Sequence, residues 1–189
     1  MFRRAAIALD LLGFNNLTER EQLSPMMNET EFENFYNEHS RPLQAYVRRI
    51  AGSAEIADDL VQESFMRFLG ASLRSNDNEK AYLYRIATNL TYDFFRRNAR
   101  DLKRQTSLAS NEEPAYEPFA AEGEMARVFD KLNLQERALL WLAYVEGHQH
   151  NEIAAMLGLK PLSVRVLLFR ARRKLAALLE TKNLEVNKL

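Results

Sequence analysis

The stretch that most constrains this chain is residues 134–178, where three helical patterns follow one another and a very tight turn joins the last two. Asn133 can cap the first pattern, and Glu136, three residues on, can reach back to it in a capping box. Leu139, Leu140, Leu142 and Val145 supply an apolar stripe that Gly147 ends. Asn151 opens a short second helix over residues 152–157, and Gly158 lets the chain turn at positive φ. Pro161 suits the first turn of the third helix, where its missing N–H would have had no intrahelical partner. Val164, Leu167, Leu168, Ala171 and Leu175 then fall on one face of that helix.

These offsets predict a helix-turn-helix rather than an ordinary hairpin. Ala154 is small where the two helices cross, and Ile153, Leu157, Leu159, Val164 and Leu167 are apolar where the pair packs together. Residues 160–174 contain six basic side chains and no acidic one. A helix of that charge suits a polyphosphate groove, with its N-terminal turn presented to base edges. Lys160, Ser163, Arg165, Arg170, Arg172 and Arg173 are the candidate contacts to duplex DNA.

The formal net charge is zero, which by itself would argue against a nucleic-acid partner. The charge is segregated, however: residues 80–104 and 160–174 are basic, while residues 112–124 are acidic without a Lys or Arg. Cysteine is absent, which excludes disulfides, thiolate metal sites and thiol redox chemistry. His148 and His150 lack the i, i+4 spacing of a helical metal pair and a third ligand nearby, and read as a solvated loop. No metal, cofactor, catalytic group or small-molecule substrate is expected. No apolar run is long enough to span a bilayer.

Residues 1–27 begin with two arginines and a short apolar run, but Asp10 interrupts the run and no convincing cleavage site follows. They are expected to form a dispensable extension. Thr30 with Glu33 predicts a capping box opening a helix with Phe32, Phe35 and Tyr36 inward, which Pro42 should kink or break. Leu43, Tyr46, Val47 and Ile50 resume the stripe, Gly52 closes it, and Ser53 can cap a helix over residues 54–69. That helix should bury Leu60, Val61, Phe65 and Leu69, leaving Asp58, Asp59, Gln62 and Glu63 as an acidic exposed patch. After a polar loop at 70–78, a long helix carries Leu83, Ile86, Ala87, Leu90 and Phe94 inward. Its outer face offers Tyr82, Arg85, Asn89, Tyr92, Arg96 and Arg97, a mixture suited to stacking on unpaired bases while cations hold the backbone. Residues 105–123 lose periodicity, contain Pro114 and Pro118, and read as an acidic linker open to proteases. The expected fold is therefore all-α: a helical domain at 28–104, a flexible linker, a helix-turn-helix domain at 124–180 preceded by a short helix near 125–132, and a tail at 181–189.

Three motifs in this order resemble the sigma-70 superfamily of bacterial RNA polymerase sigma factors, in its compact extracytoplasmic-function (ECF) type. Asp59-Leu60-Val61-Gln62-Glu63 resembles the segment that docks on the clamp helices of core polymerase. Ala81-Tyr82-Leu83-Tyr84-Arg85-Ile86-Ala87 with Asn89-Leu90 resembles the helix that opens and reads the −10 element. Glu152-Ile153-Ala154, Leu157-Gly158, Ser163-Val164-Arg165 and Arg170-Ala171-Arg172 resemble the −35 reading module. The resemblance spans residues 32–179 and departs from the pattern in two places. Val166, Leu167, Leu168 and Phe169 stand where many relatives carry Ser, Arg, Leu and His, and Tyr82 stands where Trp is common.

The resemblance implies docking through Asp58, Asp59, Leu60, Gln62 and Glu63, and −10 contacts through Tyr82, Arg85, Asn89, Tyr92, Arg96 and Arg97. Residues 72–78 align with the family's pocket for a flipped-out −10 base. The implied partners are core RNA polymerase (the β′ clamp helices and the β flap), promoter DNA and an anti-sigma factor. The implied location is the bacterial cytoplasm, near the inner membrane when such a factor holds it there. The competing reading is an ordinary helix-turn-helix regulator with a helical sensing domain, which would bind its operator alone.

Overall fold

Helix ends in this chain are set by local hydrogen bonds that short side chains and left-handed glycines provide. The structure, a computed structural model, describes residues 27–71, 78–105 and 124–186. Helix α1 spans Glu29–Ala51. Its cap is Asn28: the Glu31 N–H donates to Asn28 Oδ1 (2.9 Å) and the Asn28 N–H donates to a Glu31 carboxylate oxygen (2.8 Å). The capping box thus lies two residues before the expected Thr30–Glu33 pair; Asn is at least as good a cap as Thr, and its own Glu stands at the required offset. Gly52 at φ 73° closes the helix, its N–H donating to the Arg48 carbonyl at 2.8 Å.

Pro42 lies inside α1 and does not end it, so of the expected kink or break the break does not occur. A proline removes one ladder bond, and burial on both sides outweighs that loss here: Phe35 and His39 before it and Leu43, Tyr46, Val47 and Ile50 after it are all buried. Met27, expected in the extension, packs against this core; residues 1–26 lie outside the described residues.

Helix α2 (Ala54–Leu69) is capped by Ser53 Oγ, which accepts from the Ile56 N–H. Ala57, Leu60, Val61, Ser64, Phe65 and Phe68 face inward. Leu69 is exposed instead of buried, because the i, i+4, i+7 progression from Val61 through Phe65 ends on Phe68. Helix α3 (Glu79–Gln105) is started by Asn78, whose Oδ1 accepts from the Ala81 N–H at 2.9 Å. The three helices close around Phe35 stacked on Phe68 at 4.8 Å and Tyr46 against Tyr84 at 5.2 Å. The buried Tyr46 hydroxyl shares a 2.7 Å hydrogen bond with Thr88 Oγ1, satisfying a group that would otherwise cost free energy to bury.

The second half comprises α4 (Glu124–Asp130), α5 (Leu134–Tyr144), α6 (His150–Leu157) and α7 (Pro161–Val186). Asn133 and Glu136 form the expected capping box with bonds of 2.8 Å in both directions. Leu139, Leu140 and Leu142 are buried, whereas Val145, expected in that stripe, is exposed as the C-terminal cap of α5. Helix α7 continues through most of the expected tail. Among the described residues, no helix is long and apolar enough to cross a membrane.

The two halves share a seam in which α6 lies along α3 and α5 abuts α1. Two polar groups bolt it. The guanidinium of Arg137, 3% exposed, donates to the carbonyls of Leu132 (2.9 Å), Ile50 (3.4 Å) and Asp130. The carboxylate of Asp130 also faces Arg137 at 3.9 Å and Arg49 of α1 at 3.6 Å, and Arg49 lies over the Phe129 ring. Further along, the Glu146 carboxylate accepts from Tyr84 Oη (2.8 Å) and Trp141 Nε1 (3.0 Å) and meets His148 Nε2 at 3.1 Å. Burial and that carboxylate together push the Tyr84 phenol well above its ordinary range, so the hydroxyl is a permanent donor.

Arg137→Met keeps the stem and removes the donors, leaving buried carbonyls unpaired; it should destabilise the fold by about 3 kcal/mol, read from the urea midpoint. His39 supplies a pH signature. It is buried against the Phe35 ring, and desolvation, assisted by Lys80 and opposed by Glu38 and Glu146, holds its pKa below 6.5. The unfolded chain binds the proton more readily, so His39 contributes stability above pH 6.5 that is lost as pH falls towards its folded pKa. Urea titrations between about pH 7 and pH 5 should show this loss, and His39→Gln should flatten it.

Candidate nucleic-acid interface

The helix-turn-helix is assembled from α6 and α7 as its spacing predicts. Helix α6 begins at His150, two residues before the expected start at Glu152, and the Gln149 N–H donates to a Glu152 carboxylate oxygen at 2.8 Å. Charge at that helix terminus is favoured, and the backbone bond holds the Glu152 carboxyl below its usual range. Gly158 takes φ 64°, and Pro161 opens α7. Ile153, Ala154, Met156, Val164, Leu168 and Ala171 are buried and lock the pair.

Lys160, Arg165, Arg170, Arg172 and Arg173 are exposed, and Ser163 is half-buried. Lys174 is instead drawn to Glu136 on α5 at 2.8 Å. The Arg173 guanidinium lies over the Phe169 ring at 6.0 Å from its centroid, an arrangement that holds the cation at the surface.

On α3, Tyr82, Arg85, Asn89, Tyr92 and Arg96 recur at three- and four-residue steps and share one face, with Arg97 set to its side. Arg85, Asn89, Arg96 and Arg97 are exposed. Tyr82 is half-buried against Phe68, with the Arg85 guanidinium 5.3 Å from its ring centroid. Tyr92 is also half-buried, and burial pushes its phenol up to about 12. Arg96 is tied to Asp93 at 2.7 Å. The first half of this face borders the helix-turn-helix: the Arg85 Cδ atom lies 3.7 Å from the position a side chain on Gly158 would take.

The acidic patch of α2 is laid out as expected. Asp58, Asp59, Gln62 and Glu63 are exposed, whereas Leu60 and Val61 face the core and fix the helix beneath them. Asp58 accepts from Gln44 Nε2 at 2.7 Å, and Glu63 pairs with Arg67 at 2.7 Å in an exposed i, i+4 bridge. The aligned pocket at 72–78 lies, except for Asn78, outside the described residues, as does the linker at 106–123.

His148 departs from expectation. Its side chain is 10% exposed and sits between Glu146 (3.1 Å) and Glu152 (3.6 Å), so it belongs to the seam and not to a solvated loop. Among the described residues no cluster of three or more His, Asp or Glu could hold a metal ion.

Residues 35–101 match the family model Sigma-70 region 2, and residues 122–175 match Sigma-70, region 4. The chain is 30% identical to the ECF RNA polymerase sigma factor SigE of Mycolicibacterium smegmatis, an alignment spanning 73% of this chain and 57% of that relative. It is 31% identical to the ECF RNA polymerase sigma factor EcfG of Rhodopseudomonas palustris, across 72% of this chain and 78% of the relative. The ferric citrate uptake sigma factor FecI of Escherichia coli is 30% identical across 74% of this chain and 86% of its own length.

Two solved structures share the fold. CnrH in complex with the cytosolic domain of CnrY superposes with a TM-score of 0.60 at 27% identity, covering 82% of this chain and 90% of that one. The sigma factor RpoE of Bartonella quintana, in complex with the anti-sigma factor NepR, superposes with a TM-score of 0.66 at 22% identity, covering 80% and 98%. With both sigma regions matched in order on the helices described above, the chain belongs to the sigma-70 family of RNA polymerase sigma factors, within its extracytoplasmic-function group.

Proposed function

We propose that this chain docks on core RNA polymerase through α2, engages the melted −10 element along α3 and holds the duplex −35 element with α7. The observation that carries this reading is the presence of three distinct surfaces on three helices of one chain, α2, α3 and α7. Asp58, Asp59, Gln62 and Glu63 form an acidic surface for cations on the polymerase clamp. Tyr82 and Tyr92, interleaved with Arg85, Arg96 and Arg97, offer ring faces and charges for unpaired bases and their backbone. Unstacking costs a few kcal/mol per base, which stacking on such a face can offset. Lys160, Ser163 and the arginines of α7 give phosphate contacts and base-edge contacts in a duplex. No bond is made or broken by the chain itself.

The seam adds a requirement. Gly158 lies beside Arg85, so a strand running the length of the α3 face needs the helix-turn-helix to move aside. The polymerase β flap is the proposed receiving surface for that second half, and an anti-sigma factor is the proposed partner that keeps the chain from the polymerase. Support for such a partner comes from the RpoE relative, which is bound to the anti-sigma factor NepR, and from CnrH, which is bound to the cytosolic domain of CnrY.

Docking and promoter reading should separate by mutation. Glu63→Arg and Asp59→Arg disturb no core packing and forfeit at most a weak exposed pair, so the fold should survive. Each should weaken core-polymerase binding by roughly 10–100-fold through like-charge repulsion, measured by titration against purified core enzyme. Folded variants that bind core at full strength would remove the docking assignment.

Arg165→Ala should leave core binding intact and lower promoter affinity of the reconstituted holoenzyme. Arg173→Ala should weaken promoter binding evenly across sequences and make the log–log salt dependence shallower by about 0.9 for each phosphate no longer neutralised. Unchanged promoter affinity in both variants at moderate salt would show that α7 is not the reader.

A further inference from the structure

The outer face of α7 carries an apolar stripe that phosphate contacts do not explain. Leu162 is 89% exposed, Val166 49% and Phe169 51%, at i, i+4 and i+7. At about 100° per residue the three lie on the side of the helix opposite the buried Val164, Leu168 and Ala171. Arg165 and Arg172 flank the stripe on one side and Arg170 on the other, all exposed, and Arg173 continues it with its guanidinium over the Phe169 ring. The helix therefore presents a strip one side chain wide, apolar along its middle and cationic along both margins.

We infer that this strip reads thymine in the −35 element by contact with its C5-methyl group, alongside the base-edge contacts of the polar side chains that flank it. The inference rests on the reading of α7 as the −35 helix. An α-helix fills the major groove of B-DNA, placing its two margins beside the two phosphate backbones and its outermost line against the base edges. The margins here are cationic, with no carboxylate between residues 160 and 174, as two anionic backbones require. The line between them offers no donor or acceptor at positions 162, 166 and 169. On the major-groove edge of the four base pairs, the thymine methyl is the apolar group that such a line can cover. Val166 and Phe169, part-way along the strip, and Leu162, in the first turn, are the specificity-determining side chains. The preferred −35 element is accordingly one with thymines on the bases facing them.

The test uses holoenzyme reconstituted from core polymerase and the full chain, and a pool of promoter duplexes randomised across the −35 region. Selected duplexes should be enriched in thymine at two or three positions. Replacing each of those thymines by deoxyuridine removes a methyl and no hydrogen bond. Affinity should fall about fourfold per methyl. In Val166→Ser or Phe169→Ala holoenzyme, whose exposed substitutions spare the core, the deoxyuridine penalty should vanish at one position and remain at the others.

A selected −35 element whose affinity is indifferent to deoxyuridine at every thymine would overturn the methyl reading while leaving the −35 assignment standing. So would full retention of affinity and methyl preference in the Leu162→Ser, Val166→Ser and Phe169→Ala variants, or loss only of binding to a protein partner. Selection of no −35 sequence by an active holoenzyme would instead remove the assignment of α7 itself.

Discussion

The guanidinium of Arg137 is the interaction on which the arrangement of this molecule depends. Helix ends leave carbonyls without intrahelical partners, and two such ends converge here, the last turn of α1 and the end of α4, together with a carbonyl of the turn that leads into α5. A single planar fork of donors reaches all of them from the first turn of α5. Its charge is answered by Asp130, and Asp130 in turn holds Arg49 of α1. A lysine could not reproduce this, since its donors radiate from one point. Glu146 does the complementary work with opposite sign, gathering Tyr84, Trp141 and His148 onto one carboxylate. One cation and one anion thus fix where the second half sits on the first, and hence how far the exposed basic face of α7 stands from that of α3.

Much of this molecule is legible in its sequence because helix ends are local. Ser53, Gly52, Asn133 with Glu136, Gly158 and Pro161 all act within a few residues, and each stands where spacing places it. The failures have physical reasons. Thr30 and Asn28 both precede a Glu by three residues, and only the competition between two valid caps decides. Pro42 signals a break in any local rule, yet α1 is held from both sides by packing that no local rule contains. Leu69 and Phe68 compete for one inward position, and the three-dimensional core takes the aromatic ring. Val145 fits a periodic stripe but falls where the helix has already ended.

The seam is illegible for a different reason. Tyr84 and Glu146 are 62 residues apart and Ile50 and Arg137 87, with the residues between them including a stretch that carries no pattern. Glu146 and His148 sit in what reads as a polar turn, where side chains are ordinarily solvated. A buried arginine in the first turn of a helix is the one clue in the sequence. Arg137 directly precedes the apolar run that starts at Ala138, and a charge so placed has to find partners when the run is buried. The candidate interfaces, by contrast, follow from residue type alone, because exposed side chains keep the direction that helical geometry gives them.

The segregated charges have an electrical consequence. A molecule with equal numbers of cations and anions has no monopole to draw it towards DNA from a distance. With arginines exposed along α7 and carboxylates along α2, it retains a dipole, which exerts torque in a field but little net pull. Near a polyanion, such a chain would turn α7 inward without accelerating towards the surface, and screening confines even that turning to about 8 Å at physiological salt. Such a protein loses little of its time to the vast excess of irrelevant duplex in a cell.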